Sequence, residues 1–297
     1  MQKRSYDGHD LGRAKEPYQS LKKKRKRTFK LQKLNALRRA KENPELSSAI
    51  GNRLPQKKFF RSRAHCNPLS HNNSIKYPRR PQLMDWAKHF GVKKCENKSI
   101  SFVDVGCGFG GLTVALAREF PNEYVVGLEI RPKVSEFVRR RISTLRKQNE
   151  RNDSYKNAAV LLTNAMKYLP NYFFKGQLSK MFFCFADPHF KRKNYRRRII
   201  SKGLLHIYSY LLRPGGILYT ITDVEDLHLW TKFHCENHPC FEQITCTTIL
   251  AEDSCIQLMQ TETEESKKVD REGREKYIGL YKRVNNQDTL QSGFTRL

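Results

Sequence analysis

The sequence predicts an α/β fold, doubly wound, with a mostly parallel sheet and helices on both faces. Three observations carry that expectation. From residue 99 onward, short apolar runs of strand length alternate with helical stretches. A glycine-rich turn closes the first of these runs, and an acid followed by a proline closes a later one. Open sheets of this kind bind their ligands beyond the carboxyl ends of the strands, where both motifs fall.

Taken in order, Ile100–Val105 (ISFVDV) is a short buried strand, followed by GCGFGG and a helix over Leu112–Glu119. Tyr124–Glu129 (YVVGLE) is the second strand, and Pro132 suits the first turn of the next helix, where its missing N–H costs nothing. Ala158–Leu162 and Met181–Phe185 (MFFCF) are further strands. A helix is expected over roughly 194–212, stopped by Arg213-Pro214-Gly215-Gly216, with Ile217–Thr222 the strand after it. A helix near 224–235 and two strand-like runs, Phe241–Leu250 and Lys276–Arg283, complete the pattern.

Composition sets the surroundings. The chain has 297 residues, 38% of them hydrophobic, enough for one sizeable core plus tails. Lys and Arg number 57 against 29 Asp and Glu, a formal charge of +28, which makes polyphosphate the default partner. A membrane partner is disfavoured, because no apolar run approaches the roughly 20 residues of a spanning helix. The opening MQKRSYDGHD has no apolar core of a signal peptide, which argues against export. Three segments are expected: a basic, flexible arm over 1–60, a catalytic domain over 61–285, and a tail over 286–297.

The arm carries 18 Lys or Arg and 5 Asp or Glu, with Lys22–Arg27 (KKKRKR) unbroken, and too few apolar residues to fold alone. Residues 28–42 could become helical on binding. The run reads as a nuclear import signal, an RNA-gripping arm, or both, so a nuclear location is expected. Eight cysteines include no CxxC pair, which fits free thiols in a reducing compartment. His234, Cys235, His238 and Cys240 are irregularly spaced for zinc, so ordinary packing is the expectation and no metal is assigned.

The glycines at 106, 108 and 111 match the general dinucleotide fingerprint and by themselves leave a nicotinamide cofactor open. Two details favour S-adenosylmethionine. Asp104 stands two residues before Gly106, where a carboxylate can face a cationic ligand, and the RPGG turn before a strand looks like the methyltransferase fold. Glu129 ends the second strand, placed to accept hydrogen bonds from both ribose hydroxyls; a surface charge at a strand end is the plainer alternative. Asn164-Ala165 follows the third strand, where an amide side chain could meet an adenine edge. Phe185-Ala186-Asp187-Pro188-His189 then follows a strongly apolar strand, with Asp187 pointing into the crevice and His189 either orienting it or packing. The run KRKNYRRR (191–198) adjoins this strand end, which favours RNA phosphate over an idle solvated face.

Across roughly residues 60–284 the chain resembles the eukaryotic tRNA (guanine-N7-)-methyltransferases, with a Rossmann-like class I S-adenosylmethionine-dependent fold. The matching segments are Arg63-Ala64-His65-Cys66-Asn67-Pro68, Asp85-Trp86, DVGCGFGG, GLEIR (127–131), Asn164-Ala165, ADPHFK (186–191), RPGG and Thr261–Lys268 (TETEESKK). The resemblance implies that Gly106, Glu129, Ile130, Arg131, Asn164, Ala165 and Cys184 contact S-adenosylmethionine. It implies that Asp187 is the active-site acid, that Thr263 and Glu265 close the site, and that a WD-repeat propeller subunit helps hold tRNA. Two departures stand out: Cys66 where the family usually has Ser, and Ala186 where it usually has Pro, which loosens the turn before Asp187.

The chemistry suits an acid without a base, because guanine N7 carries a lone pair and no proton. In A-form RNA the major groove is too deep and narrow for side chains to reach N7, so the target sits in a loop or leaves its stack. Three rivals compete. A nicotinamide oxidoreductase leaves ADPHF and the +28 charge without a role. An adenine amino-methyltransferase usually has a second proline where His189 stands. A non-catalytic RNA-binding module would not need Asp187, Glu129 and the glycine loop together.

Overall fold

The computed structural model describes residues 53–63, 66–70, 75–91, 99–246 and 251–285. The readings of the basic arm before residue 53 and of the tail over 286–297 lie outside the described residues, as do Ala64 and His65. The unit described here begins at Leu54.

Seven strands form one sheet: β1 (Ile100–Val105), β2 (Tyr124–Glu129), β3 (Ala158–Leu162), β4 (Leu178–Cys184), β5 (Leu212–Thr222), β6 (Phe241–Gln243) and β7 (Tyr277–Arg283). Their order is β3-β2-β1-β4-β5-β7-β6. The first five are parallel, with Val103 opposite Val126 on one side and Met181 on the other. The last two join antiparallel, with Tyr219 opposite Leu280 and Glu242 opposite Lys282. The order reverses between β1 and β4, and a crevice opens at such a switch point.

Alternation along the strands divides the core in two. Val103, Val105, Met181 and Phe183 face one side, packed by α4 (Ala165–Tyr172) and α5 (Lys202–Leu211) through Leu169, Tyr172, Leu205 and Tyr208. Phe102 and Phe182 face the other side, against Leu112 and Leu116 of α2 (Gly111–Glu119) and Phe137, Val138 and Ile142 of α3 (Pro132–Gln148). Each fully buried side chain of this size is worth roughly 1.5–3 kcal/mol, so both faces are strongly specified. Short α1 (Trp86–Phe90) is capped by Asp85, whose carboxylate accepts from the Lys88 N–H at 3.2 Å, and ends at left-handed Gly91. Phe60 packs edge-on against Phe137 and Lys57 pairs with Glu264, so residues 57–60, read from the sequence as arm, pack on the catalytic unit.

Several expectations change. The helix expected over 194–212 is a 3₁₀ segment (Arg192–Arg197), an extended link and then α5 from Lys202. Arg198 is the cause: its buried guanidinium donates through Nε to the Pro188 carbonyl at 2.8 Å and lies 3.9 Å from the Tyr195 ring and 4.7 Å from that of Trp230. Helical backbone would carry it off that seat. The strand after RPGG starts earlier than expected, because Leu212 already pairs with Leu178 before a register shift, with Gly215 in left-handed conformation. Phe241–Leu250 contributes only Phe241–Gln243 to the sheet, and residues 247–250 lie outside the described set.

The remaining helices are α6 (Glu225–Glu236), α7 (Ser254–Thr261) and α8 (Glu264–Arg271). Around the end of α6, His238 takes the Cys240 N–H on Nδ1 at 3.2 Å and meets His206 Nδ1 through Nε2 at 2.9 Å. Both of its ring nitrogens are thus engaged, and burial, with His206 and Lys202 nearby, pushes His238 down to about 4. Among the described residues no group of three or more His, Cys, Asp or Glu is placed to hold a metal ion, and no helix is long and apolar enough to cross a membrane.

Candidate active site

The carboxyl ends of β1, β2, β4 and β5 surround a crevice with two lobes. Gly106, Arg131, Cys184, Phe185, Ala186 and Asp187 border both. The first lobe adds Glu129, Ile130, Asn164, Ala165 and Cys66; the second adds Asp104, most of the glycine loop, Asp223, Thr263, Glu265 and Lys268. Every residue singled out in the sequence for cofactor or catalysis therefore lines one crevice.

The glycine loop is shaped for close approach. Gly106 has φ +77°, and a Cβ there would project into open space, the space a ligand uses. Gly111 sits under the turn between α7 and α8, where a Cβ would overlap the Glu262 carbonyl. That contact brings Thr263 over the loop, and Thr263 caps α8 by accepting the Ser266 N–H at 3.0 Å.

Two carboxylates lie buried beneath the loop. Asp104, 2% exposed, accepts from Thr113 Oγ1 at 2.7 Å. Burial, reinforced by Glu129, holds its carboxyl up at about 7 against the Thr113 hydrogen bond, which pulls it down. Glu129, 3% exposed, is gripped by Arg131: the backbone N–H at 2.9 Å, Nε at 3.0 Å and a terminal nitrogen at 2.8 Å. These bonds raise the Arg131 guanidinium above its ordinary value. A carboxylate offers about four acceptor positions, so a ribose diol has to displace part of this contact.

Asn164 lines the first lobe and is anchored on both ends of its amide. Its side-chain oxygen caps α4 by accepting from Met166 N–H at 3.1 Å, and its nitrogen donates to the Pro68 carbonyl at 2.6 Å. The amide therefore ties the 66–70 loop to the site. Cys184 and Cys107 are thiols that burial pushes well above their ordinary range, so both stay protonated.

Asp187 lies where the two lobes meet, its side chain 29% exposed. The approach is strained: Phe185 has φ +50° while its N–H donates to the Ile221 carbonyl at 2.8 Å. Left-handed backbone at a non-glycine residue costs on the order of 1–3 kcal/mol and persists where surrounding structure enforces it. His189 stands beside the acid: its backbone N–H donates to Asp187 Oδ1 at 3.3 Å, and its Nδ1 lies 3.7 Å from Oδ2.

Sequence reasoning missed Thr113, which holds Asp104 from within a helix, and three lining residues. Asp223 follows β5 and is paired with Arg274; the strand-end rule would have found it. Lys268 sits within the quoted Thr261–Lys268 run without having been assigned. Arg197 turns inward from the cationic run to border the first lobe, its Nε buried without a hydrogen-bond partner among the described residues.

A family model described as a putative methyltransferase matches residues 98–278. The tRNA (guanine-N(7)-)-methyltransferase of Kluyveromyces lactis is 48% identical over 242 residues, 80% of this chain and 86% of that protein. The protein of the same name from Meyerozyma guilliermondii is 43% identical over 266 residues, 89% of this chain and 97% of that one. The Caenorhabditis elegans counterpart is 48% identical over 233 residues, covering 78% and 90%. Matches of that depth and coverage, over a crevice with these carboxylates, place the chain in the tRNA (guanine-N7-)-methyltransferase family.

Proposed function

We propose that this chain transfers a methyl group from S-adenosylmethionine to N7 of a guanine in a tRNA loop. The observation that carries the reading is Asp187, fixed where the cofactor-like lobe meets the second lobe, beside a run of cations.

The residues present fit that cofactor. Glu129 suits its ribose, the open face of Gly106 leaves room for its backbone, and buried Asp104 suits a cationic centre. Ile130, Arg131, Asn164, Ala165 and Cys184 complete the holding set, and Thr263 and Glu265 close the second lobe. Bound S-adenosylmethionine supplies an electrophilic methyl group on positively charged sulfur, which keeps the electrons of the broken bond. Guanine N7 provides the pair for the new bond and loses no proton, so the site needs no general base. Positive charge develops on the ring, and rate comes from in-line positioning and from negative charge held nearby. Asp187 accepts from N1–H and N2–H of guanine and stabilises that charge, and His189 keeps the carboxylate aimed.

The test is methyl transfer by Asp187→Ala and Asp187→Asn. Loss of an aimed charge of this kind costs about 10²–10³-fold in kcat. Transfer by Asp187→Ala at near-normal rate would remove Asp187 from the reaction.

The family resemblance further supports a heterodimer with a WD-repeat propeller subunit, with the 194–212 segment and the arm as docking candidates. A fully active isolated chain would end that proposal. The Lys22–Arg27 run supports a nuclear location, tested by moving a fluorescent fusion out of the nucleus with Lys→Ala changes in that run.

A further inference from the structure

Phe190 is 68% exposed, more than any other large hydrophobic side chain among the described residues. It stands three residues beyond Asp187, and its base is held firmly. His189 has φ +48° with its N–H on Asp187, while Arg198 Nε holds the Pro188 carbonyl at 2.8 Å. The ring is thus held out in solvent, next in sequence to the lining residues Pro188 and His189, by a turn that the active site itself fixes. Exposed Lys191, Arg192 and Lys193 follow directly, and no Asp or Glu occurs between Asp187 and Asp223.

An exposed aromatic ring set among cations is the pattern that binds unpaired nucleic acid, where cations take phosphates and the ring takes a base. A guanine that leaves its stack to reach Asp187 also bares the face of its neighbour. We propose that Phe190 stacks on an RNA base adjacent to the target guanine, covering the face the guanine vacates. This rests on the tRNA methyltransferase reading and assigns Phe190 a positioning role in it. Arg192 and Lys193 then hold flanking phosphates, and the ring holds the gap open while the target is methylated.

The experiment compares Phe190→Ala, Phe190→Leu and Phe190→Trp in the full chain, with its partner subunit if activity requires one. Base–aromatic stacking supports an expected fall of about tenfold or more in kcat/KM for tRNA in the Ala and Leu variants. The KM for S-adenosylmethionine and the melting temperature should stay unchanged, because the ring buries little. Phe190→Trp should restore activity. Its emission should be quenched on adding tRNA, beyond any change in the parent, whose only tryptophans are Trp86 and Trp230. A Leu variant as active as the parent, or a Trp variant with no added quenching at saturating tRNA, overturns the proposal. So does a loss confined to binding of the partner subunit. If the parent transfers no methyl to tRNA, the function reading fails separately, and quenching of Phe190→Trp by tRNA still decides the stacking.

Discussion

Glu129 and Asp104 are the two residues through which the cofactor lobe is most sharply tested. Glu129→Gln keeps the shape but removes the charge shared between Arg131 and a ribose. Hydrogen bonds to charged groups are worth about 1.5–3 kcal/mol, so S-adenosylhomocysteine should bind roughly 10–100-fold more weakly by calorimetry. Unchanged affinity would make Glu129 a structural partner of Arg131 only. Asp104 gives a pH prediction. Its folded value, about 7, lies above the ordinary 3.8, so the folded chain holds this proton more tightly than the unfolded one. The stability it contributes is complete below about pH 4 and is lost as pH rises towards 7. A cationic ligand facing it reverses the preference and favours the carboxylate, so binding should release a proton. Affinity for S-adenosylmethionine should accordingly rise by about tenfold between about pH 6 and about pH 8, and Asp104→Asn should flatten that rise. Calorimetry in two buffers of different ionisation enthalpy reads the proton directly. No release near neutral pH would mean that Asp104 does not face the cation.

At the scale of elements, the glycine loop and the turn after β4 depend on close backbone contacts. Gly110 has φ +74° with Val138 against it, and Gly111 lies under the Glu262 carbonyl. Gly111→Ala should cost about 1–3 kcal/mol from overpacking, lower Tm and weaken cofactor binding together, because the α7–α8 turn must lift away. Arg198→Ala should destabilise the fold by about 2–4 kcal/mol, since it strips a part-buried carbonyl of its donor and two rings of their cation, whereas exposed Arg196→Ala should leave Tm unchanged. β1, β2 and β3 are legible residue for residue, because short, mostly apolar runs of strand length set between helical stretches allow one reading. The pattern predicts β4 over Met181–Phe185, yet the strand begins at Leu178, since Lys180 looks like a surface residue; its ammonium instead lies over the Phe102 and Tyr219 rings. The cationic run looked helical because nothing in it breaks a helix. Which of its guanidiniums turns inward depends on Trp230 and Pro188, partners distant in sequence or set by a turn that local pattern does not encode.

For the whole molecule, charge and topology act together. The strand order opens the crevice at the β1–β4 switch point, and a chain of +28 supplies a field for a polyanion. Binding to tRNA should weaken steeply with salt. Six to ten phosphate contacts imply a fall of about 10³–10⁵-fold between roughly 50 and 200 mM, measured by filter binding or anisotropy. A shallow dependence would mean that the cations are mostly structural, as Arg198 is. The crevice residues were legible because strand ends concentrate ligand chemistry. Asn164's turn towards Pro68 and Arg131's grip on Glu129 were not, since both are set by three-dimensional neighbours. The central claim is N7 methylation of a tRNA guanine, and the most direct measurement is transfer from labelled S-adenosylmethionine to bulk tRNA, with and without a propeller subunit, followed by aniline cleavage. The account predicts labelled tRNA cut at a guanine in a loop. Labelling without cleavage would contradict the N7 assignment, and no labelling under either condition would contradict the enzyme itself.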